Sequence, residues 1–203
     1  MNGYKQPIKM KKLLVIIILS LYFITSSKAD DIRDFQIEGI SVGDSALDHF
    51  SKEEINNGVK DFYKDKKFLS ITIPVNSDSY DTMDFIYKPK DKKYKIYGIR
   101  GLKIFKNIKD CKIEYEKAIK GLSEIFINSQ KVDAKERSYA ADPTGKSKIH
   151  NVYFWLKSGG FAEVACYDMT EEFSKQKNWE NNSLTIAILT KEFSDFLLNE
   201  HYK

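Results

Sequence analysis

Between Ile108 and Phe126 the apolar residues Ile108, Cys111, Tyr115, Ala118, Ile119, Leu122, Ile125 and Phe126 recur at steps of three and four, the period of one helix face. On either side of this segment the apolar period drops to two. Before it, Phe68 to Val75 (FLSITIPV) reads as a strand whose Pro74 marks an edge or an end. Tyr80 to Tyr87 places Met83, Phe85 and Tyr87 on one face, and Tyr94 to Phe105 is a third strand, bent at Gly98 or Gly101. After it, Lys148 to Leu156 and Phe161 to Tyr167 flank the hairpin turn Lys157-Ser-Gly-Gly160, and Leu184 to Leu189 is a last strand. One amphipathic helix dividing two runs of hairpin-connected strands constrains the chain to the α+β class. The expectation is a mostly antiparallel sheet built from two β-meanders, with helices packed on it.

Shorter helices punctuate the ends. Asp44-Ser45 is an N-cap before Ala46, Leu47 and Phe50. Ser51-x-x-Glu54 is a capping box opening a second helix with Ile55, Val59 and Phe62. Thr190 caps a C-terminal helix carrying Phe193, Phe196 and Leu197, while 130–147 and 168–182 read as polar connections, the latter with Trp179. The two halves share a helix-then-meander order without aligning residue by residue, so a duplication stays open.

The first 29 residues stand apart. Lys5, Lys9, Lys11, Lys12 and Lys28 carry positive charge with no acid among them, and the 12-residue apolar run Leu13 to Ile24 is followed by small polar residues. Ser27 and Ala29 occupy the −3 and −1 positions of a cleavage site before Asp30, the order of a secretory signal peptide. Crossing a bilayer takes about 20 apolar residues, more than this run supplies. The expected organisation is a signal peptide at 1–29 and a single domain at 30–203, divisible into lobes 30–106 and 107–203. It would be periplasmic or secreted, touching membrane only through the signal segment before cleavage. An uncleaved N-terminal anchor is the alternative.

Charge follows the same division. The whole chain is formally +4, but residues 30–203 hold 28 bases against 29 acids. The basic surface that nucleic-acid binding needs is therefore absent from the mature charge balance. Cys111 and Cys166 are the only cysteines, separated by 55 positions. An oxidising compartment favours pairing them, stapling the long helix to a strand. A catalytic cysteine or two buried thiols are the other readings, and no Cys-x-x-Cys spacing supports a redox dithiol.

Motifs that could carry chemistry have plainer explanations. Ala140 to Ser147 (AADPTGKS) matches a loose phosphate-loop pattern, but a strand follows where the mechanism needs a helix, so it reads as a tight turn and no nucleotide is expected. His49, His150 and His201 are scattered, with no metal-ligand spacing. Gly39-Ile-Ser-Val-Gly43 has the letters of a nucleophile elbow without the βα context. Asp81/Asp84 and Glu171/Glu172 read as solvated carboxylates, and the four lysines of Lys88 to Lys93 as a solvated hairpin tip. Tyr80, Tyr87, Tyr94, Tyr97, Phe154 and Trp155 read mainly as core and cross-strand packing, with a ligand groove as the rival.

The segment Phe35 to Ser45 (FQIEGISVGDS), with its capped helices and following strands, resembles the opening of the SmpA/OmlA and β-lactamase-inhibitor-like envelope modules over Asp30 to Phe105. Asp44 stands where those families usually place Met. The chain from Asp30 on also resembles uncharacterised exported proteins of AT-rich bacteria. The residues and the resemblance together lead to the expectation of a non-enzymatic binding module that presents a sheet face or strand edge to an envelope protein, and the motifs themselves offer no catalytic residue, cofactor or metal site. The alternative is a small periplasmic hydrolase or ligand carrier whose site forms only in three dimensions.

Overall fold

The computed structural model describes residues 32–201; the cleavage site at Ala29 and Asp30 lies outside them. Eight strands form one antiparallel sheet in the order β1-β2-β3-β4-β8-β7-β6-β5. They are β1 (Val59–Lys60), β2 (Leu69–Pro74), β3 (Thr82–Tyr87), β4 (Gly98–Ile104), β5 (Gln130–Ser138), β6 (Lys148–Trp155), β7 (Phe161–Asp168) and β8 (Asn182–Leu189). Four α-helices accompany them among the described residues: α1 (Lys52–Gly58), α2 (Ile108–Ile125), α3 (Glu171–Lys177) and α4 (Lys191–Phe196). Each half is a helix followed by a four-stranded meander. The last strands of the two halves, β4 and β8, pair with each other and join the meanders into one sheet.

The alternation seen in the sequence decides which sheet face is buried. Register places Ile71, Phe85, Ile99, Ile188, Ala162 and Phe154 side by side across six strands. All six are almost fully buried. Helix α2 lies over this face with Cys111, Tyr115, Ile119 and Leu122, opened by Asn107, whose side chain accepts from the Asp110 N–H. The Cys111–Cys166 bridge ties α2 to β7 with a Cα–Cα distance of 6.2 Å. The capping box is complete: the Ser51 side chain accepts from Glu54 N–H, and the Glu54 carboxylate accepts from Ser51 N–H.

Four sequence expectations are corrected. Val59 and Phe62 are not helical; α1 stops at Gly58 and Val59 enters β1 opposite Ile71. A Cβ on Gly58 would lie 2.6 Å from the Thr72 carbonyl oxygen, so glycine is what lets the helix end this close to β2. The strand expected from Tyr94 starts only at Gly98. Residues before it bond to 43–46 instead: Gly43 N–H to the Ile96 carbonyl, Ala46 N–H to that of Tyr94, and Ile96 N–H to that of Asp44. The polar stretch at 130–147 contains β5, a strand exposed along nearly its whole length that carries no apolar alternation. The stretch at 168–182 contains α3, capped by Thr170. Edge strands and short surface helices bury too little to leave a hydrophobic period in the sequence.

Candidate functional site

The sheet face opposite α2 is built of registered rows. Thr72, Asp84, Arg100, Ala187, Glu163 and Tyr153 form one row from β2 to β6. Beside it run Ile86, Gly98, Leu189, Phe161 and Trp155. On the other side run Thr82, Leu102, Thr185, Ala165 and Asn151, then Ile104, Ser183, Tyr167, Ile149 and Arg137. At one end α4 packs Phe193 and Phe196 onto Phe68, Ile86, Phe161 and Leu189. At the other end Phe173 of α3, Trp179 and Tyr139 meet edge to face, and Tyr139 reaches Tyr167. Between the two aromatic ends lies a polar strip, floored along β8 by the short side chains of Ser183, Thr185 and Ala187.

The strip holds a hydrogen-bonded charge network. Arg100 donates from Nε (2.9 Å) and Nη2 (2.6 Å) to Asp84, which is 7% exposed. Asn151, buried in the row alongside, donates from Nδ2 to Glu163 at 2.7 Å and to the Tyr153 hydroxyl, and accepts from Arg137. Burial pushes the Glu163 carboxyl above its usual range; its bonds and the fields of Arg100 and Arg137 act the other way without offsetting it. Burial, reinforced by the Glu163 charge, pushes the Tyr153 phenol up to about 12 and raises that of Tyr167 as well.

The composition of this face differs from that of the chain. Of the 33 basic residues only three are arginine, and Arg100 and Arg137 both stand here, whereas lysine enters these four rows only at Lys60 of the edge strand β1. Trp155 lies in the face and Trp179 borders it, and these are both of the chain's tryptophans. Ile104, Val132 and Trp179, each more than a third exposed, rim it.

Other sequence candidates fall elsewhere. Asp84, expected in solvent, is on this face, because strand alternation turns it inward opposite Arg100; Asp81, just before β3, is exposed and accepts from Ile104 N–H at 2.7 Å. Glu171 and Glu172 are exposed in the first turn of α3, Glu171 pairing with Lys175. The Asp142 carboxylate accepts from Thr144 N–H, Thr144 Oγ1 and Ser147 N–H, which makes 140–147 the expected tight turn and holds that carboxyl well below its usual range. The histidines stay apart: His49 faces Asp44, His150 faces Asp133 and the Tyr115 ring, and His201 packs on Tyr63 and Phe196. Among the described residues no group of three His, Cys, Asp or Glu side chains is placed to hold a metal ion, and no helix is long and apolar enough to cross a membrane. Of the aromatics, Tyr87 and Phe154 are core, whereas Trp155 packs with Tyr153 and Phe161 on the open face. Of the lysines at 88–93, Lys88 pairs with Glu192 and sits over the Tyr97 ring rather than in solvent. It borders a surface cleft of about 600 Å³ between the 65–68 loop and α4, where Lys67 also pairs with Glu200.

Sequence reasoning missed Arg100, Glu163, Asn151 and Arg137, because polar residues at every second position of a strand read as an ordinary solvated face. No protein-family model, curated protein or solved structure matches the chain.

Proposed function

We propose that the protein is a non-enzymatic interaction module of the bacterial envelope, exported to the periplasm or beyond, and that it binds a protein partner through the sheet face opposite α2. The observation that carries this is the concentration of Arg100, Arg137, Trp155, Trp179, Tyr153 and Tyr167 on or beside one face of a lysine-rich chain. Arginine, tryptophan and tyrosine supply the anchoring contacts of protein interfaces, where lysine is depleted. A pre-bonded Asp84–Arg100 pair also presents a guanidinium already fixed in orientation. The bridge between Cys111 and Cys166 and the resemblance of 30–105 to envelope modules support the location.

The strand edges suit this role less well. Among the described residues β5 pairs only with β6, yet it carries Lys131, Asp133, Lys135, Glu136 and Arg137 within nine residues. Its register slips between Asp133 and Glu136, where Lys135 takes φ +58°. Charge and a bulge are what keep an edge from accepting a further strand. At the other edge β1 offers two residues.

Photo-cross-linking in intact cells tests the reading. A benzophenone residue placed at Tyr153, Trp155 or Trp179 should give one discrete protein adduct, and one at the exposed Ile113 of α2 should not. Equal labelling from both sides of the sheet, or monomer only from all positions, would sink the assignment.

A further inference from the structure

Within this face the two carboxylates of the central row are treated differently. Asp84 has a guanidinium on two N–H bonds. Glu163, three strands away in the same row, has no cation in contact among the described residues: it accepts from the neutral Asn151 amide, with Tyr153 beside it. Of the two arginines whose fields reach it, Arg100 is held by two bonds to Asp84, and Arg137 is engaged by the Asn151 carbonyl oxygen, so that amide stands between Arg137 and Glu163. Arg137 is exposed, where water and salt weaken its field, whereas Glu163 is only partly accessible. A carboxylate withdrawn from water without an ion-pair partner is poorly stabilised, and a contacting cation corrects that.

We propose that Glu163 is the recognition point of the face for a basic side chain, a lysine or arginine carried by the protein partner. This rests on the reading of the face as a protein-binding surface and names the chemistry that surface selects. Ala187, the β8 residue between Glu163 and Arg100 in this row, adds only a methyl group to the face. Tyr153 flanks the other side, and Phe161 and Trp155 stand one row away, about 7 Å along the strands. Those rings suit an aliphatic stem and the face-on approach of a cation. The charged and titratable groups around the carboxylate are Asp84 of β3, Arg100 of β4, Arg137 of β5, Tyr153 of β6 and Tyr167 of β7. Arg100 is already matched by Asp84. Arg137 is held away by Asn151, and so the unmatched charge at contact distance is negative.

The test uses the purified, disulfide-bonded protein and two probe peptides. These are Ac-Leu-Thr-Lys-Thr-Leu-amide and its counterpart with Nε-acetyl-lysine, titrated at low salt and neutral pH by NMR. The lysine peptide should perturb resonances of β6, β7 and β8 and bind about tenfold more tightly than the acetylated one. The advantage should fall below about twofold in Glu163→Gln and persist in Glu171→Gln, a charge removed from the exposed first turn of α3. No preference in the wild-type protein would overturn the proposal without any variant being needed, and so would a preference that survives Glu163→Gln. Cross-linking in cells separates this from the broader reading. An adduct formed from Trp179 and undiminished by Glu163→Gln would remove Glu163 from recognition and leave the binding face standing.

Discussion

Opening the Cys111–Cys166 bridge should cost about 4 kcal/mol of unfolding free energy, and the structure says where the loss arises. The bridge closes a loop of 55 residues containing the rest of α2, all of β5 and β6, and most of β7. In the chain-entropy model a constant plus a logarithmic loop term gives about 14 cal/mol/K for that loop, or about 4 kcal/mol at 25 °C. Both sulfurs are buried beneath α2, so alanine substitution would add the loss of buried contacts to the loss of the cross-link. Urea unfolding of the wild-type protein, oxidised against reduced, therefore isolates the bridge. The reduced form should melt roughly 8–16 °C lower. Its m-value should rise, because the reduced unfolded chain exposes more surface. A difference below about 1 kcal/mol would refute the reasoning. It would mean that the unfolded chain is not appreciably restricted by the bridge and that Tyr115, Ile119 and Leu122 hold α2 on the sheet unaided.

Three further outcomes are expected. Asp84→Ala strands the Arg100 guanidinium; breaking a buried pair costs roughly 3–5 kcal/mol, but the Arg100 side chain is 36% exposed, so urea unfolding should show about 2 kcal/mol. Glu163→Gln should raise the melting temperature at pH 8 and lose that gain near pH 4. The carboxyl's folded-state value is raised, so its penalty is absent below the unfolded value and grows as pH climbs toward the folded one; a loss at pH 8 would contradict the account. Gly58→Ala should destabilise by roughly 1–3 kcal/mol, since its Cβ meets the Thr72 carbonyl oxygen and the Ile71 side chain, and unchanged unfolding would show that β1 can move away.

Elements that bury a whole face were legible. Helix α2 declared itself through four buried residues at helical spacing, and β3 through Met83, Phe85 and Tyr87. Caps were legible too, because Ser51, Thr190 and their backbone partners lie within three residues of one another. Strand β5 was not. Its hydrogen bonds go to β6, and its side chains face solvent, so nothing in its own composition separates it from a loop. Helix α3, seven residues long, buries only Phe173 and Ser174 and left as little trace.

The sequence by itself determined the fold class, the division around α2 and the two residues able to form a bridge, since each depends on periodicity or residue type alone. Tertiary structure decided which polar residues meet. Asp84 and Arg100 are 16 positions apart, and Asn151 and Glu163 are 12 apart. They become neighbours only because antiparallel register sets them opposite or diagonal on one face, and the β4–β8 pairing then brings the two halves into a single row. Register is a property of the assembled ladder: a slip of one residue would turn every one of these side chains to the other face. The candidate site therefore came into view with the sheet.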